Sequence, residues 1–426
     1  MIRKREWPVS SVGIVFVLCI ILLLMSASLA EPANSDNTTI IIHGLYPTSG
    51  QLGSQGQAGM AAFNLAIEDI NAYLSRIGSE KRVVGEISET GSTPVSVSES
   101  LIELRKAGVP LVIAFLSSAQ VEQVRDYLNE QGILLLTTGC SSPALAIPGD
   151  NIIRFNPDDT TEAHITSSLI KNEGFSHIIS LARNDIWAQG LVKGVQESLP
   201  EDITMDEGVW YEPDTSDYST VIRDLDVLAG TIGEEIATER IAIYAVTFGE
   251  IDSLLAEAKK PEYNNLSGIK WIGCDGNALV PQLTGTSDAA ESAIMHNFTA
   301  ITFAPGMNAD QIPEYQILKN RLNGIDPDGY TMAAYDAVWI AFKSLLPEGK
   351  QDSNSLREAV LAMANQHYGV TDECQMNDAG DRITGIYNIW GLENGKTGVT
   401  WKLDSYVGVW GNISDPNNIE IIPVNE

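Results

Sequence analysis

The 426-residue chain carries 26 basic against 56 acidic residues, a formal charge of −30. Such a surface repels nucleic acid and anionic lipid, which argues against both as partners, and solubility is the plain reading of the acidity. The length beyond the N-terminal segment exceeds what one ordinary core accommodates, so at least two lobes are expected.

Residues 1–30 read as a secretory signal. Arg3, Lys4 and Arg5 precede an apolar run from Val12 to Met25, which passes into Ser26-Ala27-Ser28-Leu29-Ala30, with cleavage expected after Ala30. The uncharged stretch from Pro8 to Ala30 is also just long enough to span a bilayer, so an uncleaved anchor is the competing reading. Either way the protein is exported, free or tethered, to an extracellular or periplasmic space. Cys19 lies inside the apolar run rather than after the small residues, so a lipid-modified N-terminal cysteine is not indicated. In an oxidising compartment Cys140, Cys274 and Cys374 would allow one pair and leave one thiol over. Sequons begin at Asn37, Asn265, Asn297 and Asn412, in keeping with an exterior protein.

Strand and helix then alternate. The β-branched run 38–46 predicts a buried strand, and Pro47-Thr48-Ser49-Gly50 breaks it. Met60, Phe63, Ile67, Ile70 and Leu74 share one helix face, which predicts a helix over 57–76. Strands over 82–87, 110–116 and 132–137 are expected, with helices over 95–107 and 118–131. A second run expects helices over 160–173, 187–199, 218–232 and 249–259 among strands over 176–183, 239–246 and 268–273. A strand over 298–303 and helices over 309–323, 330–346 and 354–364 are expected to complete the first lobe. Strands over 384–391 and 399–407 flank Glu393-Asn394-Gly395, a hairpin signal. Two such alternating runs imply an α/β fold of two doubly wound parallel-sheet lobes.

In open parallel sheets ligands sit outside the carboxyl ends of the strands. There the chain reads Leu116-Ser117-Ser118-Ala119-Gln120 and Thr137-Thr138-Gly139-Cys140-Ser141-Ser142-Pro143. Serines at a helix start cap free N–H groups, and the same N–H groups form an anion site, so each loop alone is compatible with capping or binding. Two adjacent loops of this kind favour binding. No Gly-x-Ser-x-Gly elbow, His-Glu-x-x-His or phosphate-cradling glycine loop occurs, and the five histidines are scattered, so no catalytic activity, cofactor or metal is expected. Asp326-Pro327-Asp328-Gly329 lacks the third acidic position and closing glutamate of a calcium loop and reads as a turn.

Taken in order, Pro47-Thr48-Ser49-Gly50, Ala66-Ile67-Glu68-Asp69-Ile70-Asn71, the two serine loops, Ile153-Arg154-Phe155-Asn156-Pro157-Asp158-Asp159, Gly273-Cys274-Asp275-Gly276 and Ala334-Tyr335-Asp336-Ala337 resemble one family. It is the type I periplasmic binding proteins, in particular the leucine/isoleucine/valine-binding group, whose fold is shared by ligand-binding regions of some receptors. The resemblance implies discontinuous lobes joined by a multi-strand hinge, 38–156 with 278–378 and 157–277 with 379–426. It also implies capture of a small ligand, an amino acid, by hinge closure, and delivery to the permease and ATPase subunits of an ABC importer. The alternatives are a sensor of the same fold signalling to a membrane receptor, or an amide or other small polar ligand.

The resemblance further implies site roles. Ser117 and Ser141 hold the ligand carboxylate, and the Gly139 carbonyl and Asp275 hold its ammonium. Trp187 forms an aromatic wall, and Thr247 or Phe248 a second one whose register stays open. Ser118 and Cys140 adjoin these contacts and complete the candidate set, with buried free thiols the expectation for Cys140 and Cys274. The aromatic expected after the first strand is replaced by Gln55. Asp275 between glycines also fits an ordinary turn, and Trp187 an ordinary core aromatic.

Overall fold

The computed structural model describes residues 38–306, 308–347, 352–409 and 418–424. The expected signal segment, Cys19 and the sequons at Asn37 and Asn412 lie outside them.

The first sheet is built in chain order from β1 (Thr39–Pro47), β2 (Arg82–Thr90), β3 (Leu111–Ala114), β4 (Leu134–Thr137) and β5 (Ile152–Arg154). Every neighbouring pair is parallel, in the spatial order β2-β1-β3-β4-β5. Parallel pairing requires crossovers. These are α1 (Gly53–Arg76), α2 (Pro94–Lys106) and α3 (Ser118–Gln131). β3 and β4 are buried along their whole length, as strands covered on both faces should be.

The chain then crosses to a second unit. It comprises α4 (Asp159–Asn172), β6 (His177–Arg183), α5 (Ile186–Ser198), β7 (Thr204–Tyr211), α6 (Ser219–Gly233), β8 (Ile241–Val246), α7 (Ile251–Ala258), β9 (Lys270–Gly273), α8 (Asp288–Met295) and β10 (Thr299–Ala304). It crosses back to lay α9 (Pro313–Arg321), α10 (Gly329–Leu345) and α11 (Ser353–Ala364) on the first unit, with α9 and α10 against α1 and α11 against α10 and β4. A short hairpin follows, β11 (Tyr368–Gly369) with β12 (Asp372–Glu373). After the third crossing come β13 (Ile386–Gly395), β14 (Gly398–Val409) and β15 (Ile419–Pro423).

The second sheet runs β15-β14-β13-β10-β9-β8-β6-β7. It is parallel from β7 to β10 and antiparallel from β10 to β15, so only part of this lobe is the expected parallel sheet. Four further expectations need correcting. The strand expected to complete the first lobe is β10, which pairs with β9 and β13 in the second sheet. With α8 packed on α7 and β13, a boundary at 278 leaves residues 288–304 on the wrong side. The hairpin turn is Lys396-Thr397, with Glu393-Asn394-Gly395 still in the β13 ladder opposite β14. Last, β7 forms where no strand was expected: it is an edge strand, and its half-solvated residues disguise the pattern.

The first and third crossings are tied together. Arg154 Nε donates to Asp381 Oδ1 at 2.5 Å, its Nη1 donates to the Ser142 carbonyl at 2.7 Å, and both side chains of the pair are almost fully buried. Main-chain bonds from Arg154 N to Gly380 O and from Arg382 N to Arg154 O flank the pair.

Candidate ligand-binding site

The loops at the carboxyl ends of β3 and β4 face those at the ends of β6, β8 and β9. Between them lies a cavity of about 20 Å³, lined by Gly139, Ser141, Trp187, Phe248 and Asp275 of the expected set. That volume holds about one water molecule, so the two units are closed on each other. Hydrogen bonds cross the cleft. Tyr330 Oη donates to Asp275 Oδ2 at 2.5 Å, Gln55 Nε2 to the Gly276 carbonyl at 2.9 Å, and Asp159 N to the Ser141 carbonyl at 2.9 Å. Near its rim Gln51 accepts from Gly249 N and from Arg183 Nη1.

The aromatic walls come from two strand ends of the second unit. Trp187 sits in the first turn of α5, whose N-cap Asp185 accepts from Ala188 N at 3.0 Å. Its ring stacks on Phe248 at 4.4 Å and 11°. The register left open in sequence is thereby settled: Phe248 faces the cleft, and Thr247 turns inward to accept from Asn277 Nδ2. The Arg183 guanidinium lies 4.4 Å from the Phe248 ring centroid and is itself paired with Asp185 and Glu250. Gly276 must be glycine, since a Cβ there would stand 2.5 Å from the Trp187 ring and 2.6 Å from the Thr247 carbonyl.

Asp275 is more than a turn residue. Its N–H donates to Glu162 Oε1 at 3.0 Å, and its side chain is buried against Tyr330. Glu162 and Asp159, in the first turn of α4, are both at most 2% exposed. Each of the three carboxylates keeps one oxygen without a hydrogen-bond partner: Asp159 Oδ2, Glu162 Oε2 and Asp275 Oδ1. Burial pushes the Asp275 carboxyl up to about 6 against the opposing effect of Tyr330. Burial, and then the charge of Asp275, hold Asp159 and Glu162 well above the usual carboxylate range. Cys274 Sγ lies within 4.8 Å of carboxylate oxygens of Glu162 and Asp275, and burial and those same charges push its thiol well up.

Three expected residues do not line the cavity. Ser117 is the N-cap of α3, accepting from Gln120 N while Gln120 Oε1 accepts from Ser117 N at 2.9 Å, a reciprocal cap that uses the hydroxyl oxygen as an acceptor. Ser118 Oγ accepts from Ser142 N at 3.1 Å and so joins the two serine loops. Cys140 is fully buried in the core of the first unit among residues such as Leu45 and Leu145, where burial pushes its thiol to about 11. All three described cysteines are free and buried, so the pairing that an oxidising compartment would allow is not formed.

Glu162, Asp159 and Tyr330 were not among the expected residues. Acidic residues in a first helical turn read as partners of the helix dipole, and nothing local distinguishes these two. Asp328, in the stretch read as a turn, caps α10 by accepting from Thr331 N at 2.7 Å, and it also borders the cleft.

A family profile described as "Receptor family ligand binding region" matches residues 58–395. An uncharacterized protein of Methanocaldococcus jannaschii is 24% identical over 407 residues, covering 91% of this chain and 93% of that protein. The Leu/Ile/Val-binding protein BraC3 of Rhizobium johnstonii is 21% identical over 375 residues, covering 88% and 96%. The crystal structure of the branched-chain amino acid transporter substrate-binding protein LivJ from Streptococcus pneumoniae, in complex with isoleucine, superposes with a TM-score of 0.66 at 16% identity, covering 86% of this chain and 99% of that one. Among the described residues no helix is long and apolar enough to cross a membrane. With a profile match over most of its length and two α/β units closed over a cleft at their strand ends, the chain belongs to the receptor ligand-binding region family and has the fold of the type I periplasmic binding proteins.

Proposed function

We propose that this protein is an exported binding protein that captures an amino acid by hinge closure and delivers it to an ABC importer. The observation that carries the reading is the convergence of Gly139 and Ser141 from the first unit with Asp275 from the second on one closed cleft. A backbone carbonyl and a carboxylate on opposite sides suit an ammonium. A ligand bridging the units supplies the differential affinity that favours the closed form. The binding of isoleucine by LivJ and the description of BraC3 as a Leu/Ile/Val-binding protein support the ligand class.

The test is the melting temperature of the ligand-stripped protein against each amino acid, since a ligand of the folded state raises it by mass action. One or a few amino acids should raise it. A flat response to all of them, beside a response to sugars or neutral amides, removes the amino-acid reading. Export predicts a native N-terminus near Glu31, and recovery of Met1 would indicate an anchor. The family's receptor members favour one further arrangement, a sensor handing its closed shape to a membrane receptor. Neighbouring genes for a permease and an ATPase would decide for import, and a kinase or chemoreceptor for sensing.

A further inference from the structure

The cleft does not end at its cavity. A side chamber of about 190 Å³, room for several water molecules, adjoins it, and Gln55 and Asp328 line both. Its walls come from α1 and the stretch 321–328 of the first unit and from residues 278–281 of the second, so closure completes it.

Gln55 is the partition. Its Nε2 donates to the Gly276 carbonyl across the cleft at 2.9 Å, and its Oε1 accepts from Ser54 Oγ at 2.9 Å. An aromatic ring here, as the related pattern has, would be a rigid plug. A glutamine side chain swings aside through its rotamers.

The wall from the second unit is fixed in advance. Leu279 holds a φ of 57°, a left-handed conformation that bulky residues avoid, and strain of this kind gathers at ligand clamps. Its neighbours hold it there: Asn277 Nδ2 donates to the Ala245 carbonyl at 2.9 Å, and Trp401 Nε1 to the Val280 carbonyl at 3.0 Å. With Val280, Ile325 and Ala58, Leu279 gives the chamber an apolar lining.

The charged residues that line it are Arg321, Asp326 and Asp328, and each already has partners. Arg321 donates through both terminal nitrogens to Glu68, and Asp326 Oδ1 accepts from Tyr315 Oη at 2.6 Å and from Lys319 Nζ at 2.7 Å. Asp328 accepts from Thr331 N, and burial outweighs that bond and raises its carboxyl, which favours the neutral acid. Nothing in the chamber therefore calls for a charged occupant.

Resting on the amino-acid reading above, we propose that the cleft continues past Gln55 into this chamber, and that the chamber takes the end of a long, uncharged amino-acid side chain. Gly139 and Asp275 hold the ligand's ammonium as before, and Gln55 gives way to the side chain.

The test is calorimetric titration of the full ligand-stripped chain with a series that differs only in length, L-norvaline, L-norleucine and L-α-aminoheptanoate, with L-leucine and L-lysine beside it. Affinity should rise about threefold to fourfold with each methylene added to norvaline, as each leaves water. Norleucine should bind at least about tenfold more tightly than lysine. Ala58→Met puts a side chain into the chamber and should erase the rise while changing norvaline affinity less than about twofold. If that variant does not fold, as judged by its melting transition, Gln55→Tyr restores a ring at the partition and should erase the rise as well. Affinity that peaks at norvaline or leucine, or lysine as tight as norleucine, overturns the proposal and leaves the amino-acid reading intact. So does a rise that survives the substitution, including one in which every ligand is weakened alike. If none of these amino acids binds, both readings fall.

Discussion

Two groups of buried carboxylates in this molecule have opposite surroundings. Asp336, on α10, is 1% exposed and accepts from Val370 N at 3.0 Å, Thr371 N at 3.0 Å and Thr371 Oγ1 at 2.5 Å. His367 Nε2 lies 3.2 Å from it, and Lys343 Nζ at the other ring nitrogen leaves Nε2 to donate. Burial alone would raise the Asp336 carboxyl, but His367, Thr371 and Val370 outweigh it and hold it below the usual range. Asp159, Glu162 and Asp275 are buried as deeply without enough donors, and all three are pushed up. Depth of burial therefore does not set the charge of an acid here. The donors built around it do, and Asp336, amply supplied with them, fastens the fold.

The largest expected effect tests the first half of that contrast. Asp336→Ala leaves two main-chain N–H groups, a hydroxyl and an imidazole N–H buried around α10 and the β11–β12 hairpin. It should cost on the order of 3–5 kcal/mol of stability in urea unfolding. A loss under about 1 kcal/mol would mean the donors find other partners.

Asp275→Asn tests the second half. It keeps the shape, removes the charge, and should lower affinity for the best ligand by about 2–5 kcal/mol, roughly thirtyfold to several thousandfold. The unliganded protein should melt no lower than wild type, because a desolvated charge has been removed. Titration showing a fall of less than about threefold with the fold intact would return Asp275 to the status of a turn residue.

The smallest effect is in pH. A carboxyl held at about 6 in the folded state, against an ordinary 3.8, binds more protons folded than unfolded between those values. Stability of the unliganded protein should therefore rise as pH falls from neutrality toward 5, by about 1 kcal/mol from Asp275. Asp336 is depressed, so its contribution persists through that window and is lost only when pH falls through its folded value, below the ordinary carboxylate range. Across the window stability should rise more toward acid in wild type than in Asp275→Asn, the difference being the share of Asp275, since Asp150, Asp159 and Glu162 are raised as well. Equal slopes in the two proteins would mean that ionised Asp275 is already compensated within the protein.

Much of the fold was legible because alternating apolar runs and helix-spaced faces are local. What was not legible depends on distant partners. The strand at 299–304 reads the same whichever sheet receives it, and only its pairing with β9 and β13 assigns it. β7 hides behind Asp206 and Glu207 because an edge strand exposes alternate residues. At the site, Asp275 and Trp187 were reachable through the resemblance. Ser117 and Ser118 were read as ligand contacts; their hydroxyl oxygens accept from Gln120 N and Ser142 N, and neither lines the closed cavity. Glu162 was invisible, since only the fold carries it to the main chain of Asp275, 113 residues away.

The Arg154–Asp381 tie has a mechanical consequence. Arg154 closes β5, and Arg357 with Thr371 holds residues 379–382 against the same unit, so the pair clamps two crossing segments side by side where they leave the first unit. Bending of the chain beyond the clamp leaves all of these bonds in place, whereas sliding one crossing segment past the other would break them.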